Sequence, residues 1–333
     1  MGRLIIPDDG NGGSPVIIAP PSNYIFVGSM QRWLAKFAAA DGSYIGKYDC
    51  TGNDSNSLIS NVLYDGAYVW GAQHNNTPGK IGKIDPATGA QVGTPFNAFD
   101  VSLSFAFDGV NYWQGGYVRQ ALTKFDVNGT ELGTVSFSGS WPWILCYDGG
   151  ANIWVAGWGT PPTKVRISDN NKTTYGYPTD YYPPDQPGNH LLSDGTYVYY
   201  LLGNGTAWMI WRLDILTGAA TSFVQDNTYY YPRGMTFDGA NIWVKCSHPS
   251  CRLIKIRVSD GAQLGTYDLT GADQNGGLCC DGTHVWVVRY PSSSIRKIRC
   301  SDGAYIGDYG NGSQIPAPIG ICSTGGVLPW PRA

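Results

Sequence analysis

One phrase returns seven times along the chain at intervals of 41 to 45 residues, and it leaves few folds open. Its clearest copies read FDGANIWV around Trp243, CDGTHVWV around Trp286 and YDGAYVWG around Trp70. Its aromatic position is filled at Phe26, Trp70, Trp113, Trp154, Tyr199, Trp243 and Trp286. A fixed period in this range marks a stack of like supersecondary units, none of which can bury its apolar face alone.

A second phrase keeps the same beat: a basic residue, an apolar residue, then a tight turn. Its pairs are Lys36-Phe37, Lys83-Ile84, Lys124-Phe125, Lys164-Val165, Arg212-Leu213, Lys255-Ile256 and Lys297-Ile298. Asp-Gly and Asn-Gly between apolar runs read as hairpin turns, because the turn needs residues that tolerate positive φ. Each repeat therefore holds four short strands, a to d. In the sixth these are expected at Gly234 to Phe237, Asn241 to Cys246, Leu253 to Val258 and Gln263 to Leu269. Helical periodicity is absent. Strand b is apolar on both faces, as when four-stranded blades pack side by side around an axis.

The fold expected is an all-β, seven-bladed β-propeller with four antiparallel strands per blade. It spans residues 22–323, between an N-terminal arm (1–21) and a C-terminal tail (324–333). The first repeat begins at strand b (Asn23 to Gly28), and the C-terminus supplies an orphan strand a, Pro318 to Cys322. Pairing the two closes the ring and leaves no open edge between blades. Val16 to Ala19 is a rival for the same slot, but only the C-terminal segment has the glycine two places in.

Net charge is −3 without a basic stripe, so no nucleic-acid partner is expected. No 18-residue apolar run exists for a membrane helix, and MGRLIIPDDG lacks the apolar core of a signal peptide. Cys146, Cys279, Cys280 and Cys322 fall on strand a, where small buried hydrophobes belong. The cluster of Cys246, His248 and Cys251 matches no standard zinc spacing, and two unpaired thiols are expected there, with a disulfide across the hairpin as the alternative in an oxidising compartment.

Catalysis has thin support. Glu131 is the sole glutamate, and Asp65, Asp108, Asp148, Asp194, Asp238 and Asp281 all open the a-to-b turn. Asp41, Asp169, Asp260 and Asp302 sit in the c-to-d turn, where Asp caps nearby backbone. The four histidines, His74, His190, His248 and His284, are scattered. No nucleophile, base and orienter assemble from this inventory. The expectation is a protein that is not an enzyme and holds no metal or cofactor.

Repeats of the form GxxFDGxNIWV followed by xKIxxSDGxxLGxY resemble the seven-bladed propellers of the YVTN, NHL and streptogramin-lyase-like group. The resemblance covers about residues 22 to 323. It implies the fold and little about function. In the lyase branch, activity depends on paired His and Glu residues with magnesium. Here Glu131 lies far along the chain from every His, so no catalytic residue carries over. Such Trp-rich, Asp-Gly-rich repeats also resemble, more loosely, propeller modules of bacterial surfaces and bacteriophage particles.

The antiparallel path puts the b-to-c loops and the d-to-a connections at one end of the ring, opposite the Asp-Gly turns. That first set is long, different in every blade and aromatic. Candidate ligand-binding residues there are Trp141, Trp143, Trp158, Tyr177, Tyr181, Tyr182, Trp208, Tyr229, Tyr230 and Tyr231. Exposed rings amid Asn, Gly, Thr and Asp suit sugars or a protein partner. The arm, in which Leu4 to Ile6 and Val16 to Ala19 flank PDDGNGGS, reads as two apolar beads on a flexible linker. Together these features predict a binding or structural subunit, extracellular or on a virion surface; the second alternative, which the resemblance implies, is a streptogramin-lyase-like enzyme with a His and a carboxylate partner in the axial pocket. The subunit's expected partners are glycans, neighbouring protein subunits or both, within an oligomer or larger assembly.

Overall fold

The computed structural model describes residues 23–52, 58–73, 79–100, 104–157, 159–176, 190–269 and 276–325. Among them there are 28 strands and no helix. The strands form seven antiparallel sheets of four. In blade six they are Tyr230–Phe237, Asn241–His248, Arg252–Arg257 and Gln263–Asp268, paired in chain order. The two inner strands thus begin earlier or run further than sequence alone predicts. Strand a of each blade touches strand a of both neighbours all the way round, so these strands line the axis.

The ring closes as the sequence predicts. Pro318–Ser323 pairs antiparallel with Tyr24–Ser29, through Ile25↔Ser323, Phe26↔Cys322 and Val27↔Ile321, and becomes strand a of blade one. The rival segment 15–19 lies outside the described residues, as does the rest of the arm.

The sevenfold repeat works through three recurring contacts. The first fixes the a-to-b turn. Asp65, Asp108, Asp148, Asp238 and Asp281 each accept a hydrogen bond from the indole N–H of the blade's buried tryptophan, at 2.6 to 3.2 Å. Asp194 does the same for the Tyr199 hydroxyl at 2.8 Å. The other carboxylate oxygen takes turn amides, as Asp281 does from Thr283 and His284. Each aspartate therefore holds its own turn and satisfies a donor that burial would otherwise strand. Blade one has Phe26, which has nothing to donate, and its strands a and b come from opposite ends of the chain, so no a-to-b turn joins them.

The second contact joins blades. The strand-c lysine lies over an aromatic ring of its own blade, Tyr24 for Lys36 and a tryptophan for Lys83, Lys164, Lys255 and Lys297, while its ammonium reaches the c-to-d turn of the next blade. Lys83 Nζ is 4.8 Å from the Trp70 ring and donates to Val127 O at 2.9 Å. Lys36, Lys164 and Lys255 bond Ala87 O, Ile215 O and Cys300 O. Lys297 donates to Ala39 O and Ala40 O at 2.6 and 2.8 Å, which ties blade seven to blade one.

The third contact is steric. An aromatic side chain on strand d lies under the positive-φ glycine of the next blade's c-to-d turn. A Cβ on Gly42, Gly89, Gly129, Gly218 or Gly303 would fall within 2.3 Å of Tyr309, Tyr48, Phe96, Tyr175 or Tyr267 respectively. Two blades depart from this pattern. In blade four the turn residue is Asn170 at φ 61° and the facing position on blade three is Val135, not an aromatic. In blade six Gly261 faces Val224, and a Cβ there would lie 3.2 Å from Val224 Cγ2.

The seven aromatic positions of the opening phrase are all fully buried. Strand b is buried along nearly its whole length, whereas strand d alternates with solvent, as in Tyr44–Asp49. The core is therefore a set of clusters wedged between adjacent blades. What remains variable is the loops.

Candidate functional site

The d-to-a connection between blades three and four is SGSWPWI, and it is clamped from both sides by glycines at the ends of two b strands. A Cβ on Gly115 would lie 2.1 Å from Pro142 O, and one on Gly157 would lie 1.9 Å from Trp141 O. Backbone thus packs directly on backbone, and the two indoles it carries are held in place. Trp141 and Trp143 are half-buried, with ring centroids 5.9 Å apart. Tyr117, from the b-to-c loop of blade three, sits 4.7 Å from Trp141 and lies parallel to Trp143 at 6.2 Å. Tyr117 is 42 % exposed. This cluster presents aromatic surface at the loop end on a rigid base.

Beside the same connection lies a pocket of about 480 Å3 between blades three and four. Pleating puts Lys172 and Thr174 on one face of their strand, and Thr163 pairs directly with Thr174, so all three face blade three. From the opposite wall come Ser136, Ser138 and Ser140, and Thr160 closes one end. Phe137 and Pro161 supply the apolar part of the lining. The Lys172 ammonium lies 4.7 Å from the Phe137 ring and donates to Ser136 O at 2.5 Å. Thr160 is 1 % exposed, and its hydroxyl has no hydrogen-bond partner among the described residues. The lining contains no carboxylate.

A second aromatic group stands at blade six. Tyr231, 44 % exposed and held at φ 55°, lies 5.4 Å from Tyr230 and 5.1 Å from His248. Arg233 donates to Ser247 Oγ, and its guanidinium is 5.7 Å from the Tyr231 ring. Tyr229 leans on the core between blades five and six, with Arg252 6.0 Å from its ring.

The ten predicted site residues therefore part into four fates. Trp141 with Trp143, and Tyr230 with Tyr231, form two separate clusters. Tyr229 sits partly buried beside the second. Trp208 is fully buried: strand c of blade five begins with it, at Trp208–Asp214, and pairing with Gly203 and Asp226 turns the ring into the core. It has no face for a ligand. Trp158, Tyr177, Tyr181 and Tyr182 lie outside the described residues. Tyr117 and the hydroxyl pocket were not among the predicted residues. The serines of SFSGS and the threonines of TPPT and NKTT were the available signal.

Several other titratable groups hold the scaffold together. Glu131 pairs with Arg119 at 3.0 Å on the outer strand of blade three. His284 is 3.7 Å from Asp281, but that carboxylate already holds Trp286 and Thr283. Burial, and then the charge of Lys297, hold the His284 imidazole below its usual pKa. His190 is buried at the start of strand a of blade five, and His74 lies outside the described residues. The eight cysteines form no disulfide. Burial pushes the thiols of Cys50, Cys146, Cys246, Cys279 and Cys322 up, which leaves little thiolate to react. Cys251 Sγ lies 4.0 Å from Ser247 O.

No protein-family model matches the sequence, and no curated protein matches it significantly. Solved structures do match the fold. A 6-phosphogluconolactonase-like protein of Bacteroides fragilis superposes with a TM-score of 0.65 at 14 % identity, over 91 % of this chain and 98 % of its own. Apo AztD of Citrobacter koseri gives 0.64 at 11 %, over 92 % and 98 %. BamB of Moraxella catarrhalis gives 0.55 at 12 %, over 88 % and 89 %. The chain is thus similar in fold to propellers of the NHL and YVTN kind, and at these identities the likeness extends to fold alone.

Proposed function

We propose that this propeller is a binding protein that recognises saccharides through its loop end, and that it acts in several copies on a cell or particle surface. The cluster of Tyr117, Trp141 and Trp143 carries the reading. Its rings are held by glycine-clamped backbone and stay partly open to solvent. Flat rings cover the apolar face of a pyranose, and loops on a repeated scaffold are where recognition concentrates. Two or three stacked rings contribute about 0.5 to 1.5 kcal/mol each beyond area burial, so a single site binds weakly. Display in several copies converts weak sites into avidity without new contacts.

The test is a saccharide array probed with the protein tetramerised on streptavidin, beside a Tyr117→Ala, Trp141→Ala double variant of the same thermal midpoint. Binding by the wild type that the variant loses is the expected result. Equal binding by both, or by neither, rejects the reading.

A second reading, a structural subunit of an assembly, has one specific observation in its favour. Ile45, Leu132, Leu264 and Ile306 occupy the same place on four outer strands and are 37 to 51 % exposed, so four blades each present an apolar residue at the same height on the flank of the ring. Light scattering of the full chain separates the two, since this reading requires a concentration-dependent oligomer that charged residues at Ile45 and Leu264 abolish.

A further inference from the structure

We infer that the pocket between blades three and four takes an anionic sugar residue, one bearing a carboxylate such as a uronic acid, with Lys172 as the group that selects it. This deepens, and rests on, the saccharide reading above. A volume of about 480 Å3 lies within the range of about 300 to 1,000 Å3 typical of small-molecule pockets.

The polar lining is unusually uniform: serine and threonine hydroxyls, one ammonium and no carboxylate. A hydroxyl donates and accepts, which matches the hydroxyls of a sugar in either sense. Sites for neutral sugars can rely on fixed carboxylates as acceptors, and none stands here. An ammonium has three donors. Lys172 directs one to Ser136 O at 2.5 Å, which anchors the side chain across the pocket and leaves donors for a ligand. A carboxylate is the complementary acceptor, because a charge-assisted hydrogen bond is roughly twice as strong as a neutral one. Thr160, whose buried hydroxyl has no partner among the described residues, is satisfied by any ligand hydroxyl that reaches it. The site lies at a boundary that lacks the aromatic wedge and is bordered by a shortened outer strand. Val135 replaces the aromatic wedge between blades three and four, and the outer strand of blade four is cut to Lys172–Thr174.

The experiment is titration calorimetry on the full chain with sodium glucuronate, glucose and sodium sulfate, for the wild type, Lys172→Met, Lys172→Arg and the control Leu216→Ala, with a thermal midpoint for each. Glucuronate is expected to bind the wild type at least tenfold more tightly than glucose. Lys172→Met should erase that preference and Lys172→Arg should keep most of it, as loss of one charge-assisted contact implies. Leu216→Ala, at a 90 % exposed turn residue of blade five, should leave the glucuronate affinity within a factor of about two. An equal affinity of wild type and Lys172→Met for glucuronate overturns the pocket, while array binding that depends on Trp141 leaves the saccharide reading standing. Sulfate binding as tightly as glucuronate overturns the sugar and leaves a bare anion site. No binding of either sugar, with an empty array, overturns both.

Discussion

Substituting Gly303 by Asn probes how one blade seats on the next. Gly303 lies at φ 73°, and a Cβ there would stand 1.8 Å from Cε1 of Tyr267 and 2.1 Å from its Cζ. The left-handed backbone is tolerable for asparagine, as Asn170 at φ 61° shows in the equivalent turn. The collision is not. Tyr267 is packed 5.5 Å from Trp243 and cannot retreat without disturbing that pair. Overpacking of this kind costs about 1 to 3 kcal/mol, and disturbing an aromatic pair adds about 0.5 to 1.5. Gly303→Asn should therefore destabilise by about 3 kcal/mol, roughly 4 °C in the thermal midpoint of a chain this long. Tyr267→Val alone leaves a hole and costs about 2 to 3 kcal/mol. Together the two changes recreate the pair Val135 and Asn170 found between blades three and four, so the double variant should be less unstable than the sum by about 1 to 3 kcal/mol. Urea unfolding of the four proteins measures that coupling. Strict additivity would refute the idea that ring and turn glycine form one steric unit.

Other outcomes follow from the same contacts. Deleting residues from 316 onward removes strand a of blade one, with Ile319, Ile321 and Cys322 each under 9 % exposed; at about 1.5 to 3 kcal/mol per larger buried side chain the loss is several kcal/mol, and an unchanged thermal midpoint would contradict the closure. Acid should act in two windows. His284 has a folded pKa below its usual 6.5, so the unfolded chain binds its proton first and stability falls as pH drops through about 6.5; a His284→Gln variant should lack that phase in midpoint-against-pH curves. The turn carboxylates Asp41, Asp85, Asp126, Asp214 and Asp302 are held below 3.8 chiefly by backbone amides, and Arg257 holds Asp260 at about 2, so their stabilisation is present above 3.8 and lost as pH falls toward 2. Assays against a cyclic ester and against glycosides should give no turnover; activity abolished by changing His190, His248 or His284 would overturn the non-catalytic reading.

The repeat made the fold legible because each blade restates the same physical needs. A buried indole needs an acceptor, a two-residue turn needs Asp and Gly, and a strand covered on both faces is apolar throughout. Trp286 and Asp281 carry those needs in one phrase. The orphan strand at Pro318 was readable for the same reason, since a six-and-a-fraction ring leaves an open edge. Trp208 was misplaced because Asn-Gly at 204 and 205 marks the turn but not where strand c begins, and a single residue of register decides which face an indole takes. Tyr117 was hidden in a short loop whose importance comes only from Trp141 and Trp143 across the blade boundary. The pocket was hidden for a like reason: Ser138, Thr160 and Lys172 meet between blades, and no periodicity within a blade records what two neighbours enclose.

The most direct test of saccharide recognition at the loop end is nuclear magnetic resonance of the indole N–H groups during titration with an array-positive saccharide. The Trp141 and Trp143 resonances should shift together and saturate. Those of Trp70, Trp113, Trp243 and Trp286, locked onto their aspartates at the other end, should stay still. Shifts confined to the aspartate-bound indoles, or no shift at any concentration, would contradict the account.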